Sequence, residues 1–295
     1  SPFGYTNASG TLKADLVAMY LSRLLNTMKK RGLRQATPRI GNEAVSPEPF
    51  VDFSSGYIQR ALHIMPNYRH GVLASRPGTL LAAAGQLDIV VEGRGGHASM
   101  PHQTRDPVPV ACEIVGAIQA LVTRRFDAAE AVVVTIAQIQ AGTAHNIIPE
   151  RAVLRGTIRT LSRERRGEVQ EALVRLAEGI AGAHECRAEV TVTPGFPPTI
   201  NDPRAIDLAE EVARALPGGE FERLVHPIMG AEDFSYVLEK VPGAMAFLGV
   251  AAEGSDWASC CGIHSSRMMV DERALPRGAA FLAGCATRFL ERGWN

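Results

Sequence analysis

Six side chains in this sequence are of types that bind or move charge, and each interrupts a local pattern. His63, in ALHIMP, comes near the end of an apolar run and just before Pro66. His97, in GRGGHASMPH, stands directly behind a glycine-rich turn, and Asn146, in AGTAHNIIPE, sits in a turn between two β-rich runs. Arg159, in GTIRT, follows on the next run; Glu232, beside Asp233 in MGAEDFS, comes next to a glycine. His264, in GIHSSRMMVDERALP, precedes the last helical stretch. Neutral imidazole ligates zinc-like ions and exchanges protons near neutral pH. A guanidinium is a planar fork that fits a carboxylate, and an amide adds a neutral donor. Glycine lets a backbone take positive φ or come close to another group, which suits a turn that carries a functional side chain. Each residue also has an ordinary reading. A strand-end histidine is commonly structural, an asparagine caps its own turn, and two acids favour the positive end of a helix.

The elements that must position these residues are legible from periodicity. QLDIVVEG (86–93) alternates as a strand, and the prolines before Val108 open a helix to Arg125 with apolar residues three and four apart. Strands are expected over 131–142, 151–160 and 187–195, and an amphipathic helix capped by Ser162 runs between the last two. The order β-α-β-β-α-β is that of the split βαβ, ferredoxin-like sandwich. Helices are expected over 202–216, 230–241 and the C-terminal 274–293, with a short buried strand in GAMAFLGVA. Before this unit, 12–32 reads as a helix ending at Gly32, and YIQRALHIMP as a strand. The expected fold class is α/β. The ferredoxin-like part (85–197) is inserted in a discontinuous α/β domain made of 1–84 and 198–295.

Composition narrows the function classes. Lys plus Arg and Asp plus Glu balance at 31 each, so no net field draws nucleic acid or an anionic membrane, and neither is expected as a partner. No uninterrupted apolar run reaches the roughly 18 residues of a membrane span. The five cysteines have no metal-ligand spacing and do not form a disulfide framework, which points to a reducing, cytoplasmic setting. The sequence starts without methionine or a signal-like segment, as expected of a processed chain or a fragment.

Taken in order, these segments resemble the hippurate hydrolase and N-acyl-amino-acid amidohydrolase family of dinuclear metallopeptidases, which includes the indole-acetyl-amino-acid hydrolases. The resemblance runs from about Ala61 to the C-terminus, and RPGTLLAAAGQLDIVVEGRGGHASMPHQTRDPV and AGTAHNIIPERAVLRGTIRT carry it most specifically. It implies a metal-binding α/β domain with an inserted ferredoxin-like lid that forms a homodimer. It also implies up to two divalent ions per chain (zinc, manganese, cobalt or nickel) and amide hydrolysis of a small N-acyl amino acid. Within it, His63 and His264 match metal ligands. His97 matches the lid histidine that reaches the partner's active site and stabilises an oxyanion. Asn146 and Arg159 match residues that hold the substrate carboxylate, and Glu232 lines the same site. Two metal ions a few ångströms apart would supply an acidified water and Lewis-acid stabilisation.

The resemblance lacks one part. The family's His-x-Cys-Gly-His and Pro-Ala-Glu-Glu segments, which supply a bridging thiolate, a histidine, a base and a carboxylate ligand, have no counterpart before His63. Asp15, Glu43, Glu48 and Asp52 are the acids available there, spread out rather than paired. Two histidines alone fall short of the three protein ligands of a catalytic zinc site. Two readings therefore stand side by side. One is a metal-dependent amidohydrolase; the other is a non-catalytic or truncated homologue that dimerises through the lid and retains carboxylate binding.

Overall fold

The computed structural model describes residues 61–294 apart from 253, 257, 259–261 and 264. The helix expected over 12–32, the four N-terminal acids and His264 lie outside the described residues. Along the chain, β1 (Leu62–Met65), β2 (Leu73–Ser75) and β3 (Gly78–Leu81) lead into the long β4 (Ala83–Glu92) and the two-residue β5 (Gly96–His97). Helix α1 (Pro107–Arg125), β6 (Val132–Ala141), β7 (Ile147–Ile148) and β8 (Arg151–Thr160) follow, then α2 (Arg163–Ala183) and β9 (Arg187–Pro194). The remainder is β10 (Thr199–Asn201), α3 (Pro203–Ala215), β11 (Phe221–Arg223), the single turn α4 (Ser235–Leu238), β12 (Ala246–Gly249) and α5 (Leu275–Arg292). The described residues form two units, one of 61–80, 200–226 and 237–294, the other of 81–199 and 227–236.

In the second unit the sheet order is β6-β8-β4-β9, all antiparallel, as a ferredoxin-like βαββαβ sandwich requires. Strand β4 is central because every second residue is apolar: Leu87, Ile89 and Val91 are fully buried, while Gln86 and Glu92 face out. Onto that face pack Val110, Ile114 and Ile118 of α1 and Val169, Leu173 and Ala177 of α2. Both helices start where their sequences say. The Asp106 carboxylate accepts the Val108 N–H ahead of α1, and the Ser162 hydroxyl accepts the Arg165 N–H ahead of α2. By length and composition α1 would suffice to cross a membrane; here its apolar stripe is core. Gly156 in β8 admits β6 closely, since a Cβ there would lie 2.1 Å from the Thr135 carbonyl oxygen, next to a register shift at Ile136–Gln138.

The first unit has a mixed sheet of order β1-β12-β2-β11, in which β1 runs parallel to β12 and β12 antiparallel to β2. Helices α3 and α5 contribute Ile206, Val212, Phe281 and Leu282 to its core with Leu62, Ile64, Leu73 and Leu248. The buried Asn201 amide ties the sheet together: Oδ1 accepts the Met245 N–H at 2.8 Å, and Nδ2 donates to the Met245 carbonyl at 3.1 Å and to the Ser75 hydroxyl at 3.0 Å. That fixes the start of β12, and with it the strand that pairs with β1.

One expectation needs correction. The helix over 230–241 shrinks to the four residues of α4. Both the N–H and the hydroxyl of Ser235 turn back onto the Glu232 carbonyl, and Pro242 disfavours helix just behind the turn. Nearby in the first unit, His70 has its Nε2 buried and 3.7 Å from the Asp271 carboxylate.

Candidate functional site

The opening glycines act by close approach rather than by positive φ. None of Gly93, Gly95 and Gly96 is among the glycines with φ above zero. A Cβ on Gly93 would stand 2.0 Å from the Arg105 carbonyl oxygen, and one on Gly95 would stand 2.6 Å from that of Ile148. The chain can thus lay β5 against β7, pairing Gly96 with Ile148 and His97 with Ile147. The Ala98 N–H then donates to the Asn146 carbonyl at 3.1 Å. This two-stranded ribbon brings His97 and Asn146 side by side beyond the Glu92–Arg151 end of the four-stranded sheet. Both side chains are exposed, as are their apolar neighbours Met100 and Ile147.

The His97 ring is held by its own turn. The Met100 N–H closes a four-residue turn onto the His97 carbonyl at 2.8 Å. Within it, Nδ1 receives the Ser99 backbone N–H at 3.2 Å and lies 2.8 Å from the Ser99 hydroxyl. A backbone N–H only donates, so Nδ1 is the acceptor nitrogen and the proton of the neutral ring sits on Nε2. His97 is thereby an outward-facing hydrogen-bond donor.

Arg159 and Glu232 are elsewhere in the same unit. Arg159 pairs with Ala84 and Val133 at the other end of β8, eight residues beyond Arg151, or roughly 27 Å along an extended strand. Its neighbour on that face, Arg155, is engaged by Asp88 at 3.3 Å and by Gln138 at 3.0 Å. Arg159 has no ion pair or hydrogen-bonded side-chain partner among the described residues. The segment carrying Glu232 belongs to this end too: Ile228 bridges to Leu81, and the Tyr236 hydroxyl donates to the Gly195 carbonyl at 3.4 Å. The structure therefore brings His97 together with Asn146, puts the segment carrying Glu232 at the Arg159 end, and holds these two sets at opposite ends of the sheet.

In the first unit, His63 faces away from Leu62 and Ile64 on β1, with Phe247 as its register partner and ring neighbour at 6.4 Å. Its Nδ1 is 2.9 Å from the Ile64 carbonyl oxygen. A carbonyl only accepts, so Nδ1 carries the proton and Nε2 is the unprotonated nitrogen, the tautomer in which histidine ligates a metal through Nε2. His63 and His97 thus hold opposite tautomers. Among the described residues no three His, Cys, Asp or Glu side chains form a group able to hold a metal ion. The described residues offer one ring of ligand type and do not complete a metal site by themselves. Cys112, Cys186 and Cys285 are free thiols, and burial pushes Cys285 up to about 12, an inert state.

Ser99 is the residue that reading the sequence missed. A serine two positions behind the histidine is the available signal, since serine readily makes local hydrogen bonds of this kind.

Residues 82–185 match the model of the peptidase dimerisation domain of the M20 type. The chain is 36% identical over 234 residues to an IAA-amino acid hydrolase from Arabidopsis thaliana, covering 78% of this chain and 52% of that one. It is 37% identical to an N-acetyldiaminopimelate deacetylase from a Geobacillus strain, covering 77% of this chain and 58% of the other. Among solved structures, a dinuclear metal-binding peptidase of the M20 family from Bacillus subtilis superposes with a TM-score of 0.64 at 29% identity, covering 78% of this chain and 56% of that one. The chain spans about half the length of the curated relatives it matches.

Proposed function

We propose that this chain, a member of the M20 peptidase family over most of its length, hydrolyses the amide bond of N-acyl amino acids. The observation that carries the proposal is the β5–β7 ribbon, which holds the Nε2–H donor of His97 on one strand and brings the backbone of Asn146 against the neighbouring Ala98 at the sheet end. Amide hydrolysis concentrates negative charge on one oxygen, and a fixed donor aimed at that oxygen stabilises it. His97 takes that role, while Asn146 and Arg159 bind the carboxylate of the amino acid, Asn146 as neutral donor and Arg159 as uncommitted fork. Glu232 lines the same site. The reaction depends on divalent metal ions, as the name of the Bacillus relative supports for that protein, with His63 and His264 as ligands.

The separation of these groups along one sheet sets the form of the proposal. One small substrate cannot touch groups that lie beyond opposite ends of β8, a strand whose Arg151–Arg159 stretch alone is roughly 27 Å long. A lid-mediated homodimer resolves this: His97 and Asn146 act in the partner's site, and Arg159 in the site of its own chain. Related deacetylases and hydrolases are named for acyl-amino-acid substrates, which supports the substrate class.

The test is release of free amino acid from a series of N-acetyl amino acids by the full chain, with zinc or manganese added. Turnover is expected, and His97→Ala should lower kcat by about 10²- to 10³-fold, the scale of losing one oxyanion donor. A chain that binds these acids through Arg159 without turning any over would instead be the non-catalytic homologue.

A further inference from the structure

The four residues His97–Met100 form a turn in which the histidine ring does what an aspartate or asparagine oxygen does in an Asx turn. The side chain of the first residue accepts the backbone N–H of the third. The third residue adds its hydroxyl to the same nitrogen, 2.8 Å away. The other ring nitrogen has no such partner on its own turn. We propose that Ser99 is a positioning residue for His97: its N–H and hydroxyl fix Nδ1 as acceptor, so that the ring meets substrate as a neutral Nε2–H donor in one orientation. The chemical value of this role rests on the reading of His97 as oxyanion donor; the tautomer itself does not.

Three features of the turn support the assignment. The Ala98 N–H is committed across the ribbon to Asn146, so the histidine backbone cannot swing without breaking the β5–β7 pairing. The Gln103 and Thr104 N–H groups close the following turn onto Met100 and Pro101, at 3.0 Å each, so the loop behind Ser99 is braced as well. No carboxylate is hydrogen-bonded to the His97 ring among the described residues, so no side chain competes to place a proton on Nδ1. A donor held before substrate arrives loses no orientation on binding, which is the general advantage of a preorganised site.

The experiment is a two-bond proton–nitrogen correlation spectrum of the full chain labelled with nitrogen-15 histidine, recorded where the ring is neutral. It is run for the wild type, Ser99→Ala and Ser99→Thr; Ser99 is exposed, so neither substitution threatens folding. The expected wild-type pattern is a single Nε2–H tautomer for His97. Ser99→Ala should raise the Nδ1–H share and lower kcat about tenfold with KM little changed, the scale of one net hydrogen bond. Ser99→Thr should restore both. An Nδ1–H ring in the wild type overturns the proposal, and so does a Ser99→Ala spectrum identical to the wild type. If the spectra behave as expected but His97→Ala leaves turnover intact, the tautomer assignment stands and the oxyanion reading fails.

Discussion

The two histidines placed in ordered strands are chemically different residues, and one hydrogen bond to each decides it. His63 gives its Nδ1 proton to the Ile64 carbonyl, which leaves Nε2 as its unprotonated nitrogen; His97 accepts at Nδ1 and keeps its proton on Nε2. A sequence shows only that both are histidine, because the tautomer depends on backbone groups whose direction is set by the fold. Asp271 shows the same dependence. Its carboxylate accepts from the backbone N–H and the guanidinium of Arg273, and that side-chain bond is the main reason its pKa falls from 3.8 to about 2. A folded pKa below the unfolded one means that the native state binds fewer protons in between. The stabilisation is therefore complete above about pH 4 and disappears as pH falls through the folded value. The thermal midpoint of Asp271→Asn should accordingly lie below that of the wild type at pH 5, and the gap should close between about pH 4 and pH 2. A gap of constant size down to pH 2 would show that the charge contributes nothing.

Among the elements, the β5–β7 ribbon is the smallest and has the most direct bearing on the reaction. Gly95→Ala puts a methyl 2.6 Å from the Ile148 carbonyl oxygen, so the ribbon must open and His97 must leave Asn146. We expect kcat/KM to fall about 10²-fold, as displacements near 1 Å do elsewhere, while melting shifts by only a few degrees because the ribbon lies outside both cores. Unaltered kinetics in Gly95→Ala would mean that the ribbon does not position the donor. The ferredoxin-like sandwich was legible in the sequence because its strands are long and alternate; Arg151–Thr160 is found where it was expected. The ribbon was not, since two-residue strands have no periodicity to read, and β2, β3, β10 and β11 are similarly short. The glycines before His97 were visible as a special backbone, but only the fold tells close approach from positive φ. Segment 230–241 misled because its apolar spacing fits a helix, while Ser235 and Pro242 limit it to one turn.

For the whole molecule, the decisive fact is the length of the lid sheet. The sequence could name candidate residues one by one, but it could not show that Asn146 and Arg159 lie at opposite ends of one sheet, because that follows from β8 running its full length between them. The account requires two chains to make one complete site, and mixing impaired variants tests that directly. His97→Ala and Arg159→Ala should each retain at most about one hundredth of wild-type turnover alone. Re-equilibrated together in equal amounts, they should form hybrid dimers in which one of the two sites is intact, recovering about one quarter of wild-type turnover. His97→Ala mixed with Asn146→Ala should recover nothing, because those two side chains travel on the same ribbon. Recovery in the second mixture, or none in the first, would contradict the shared site.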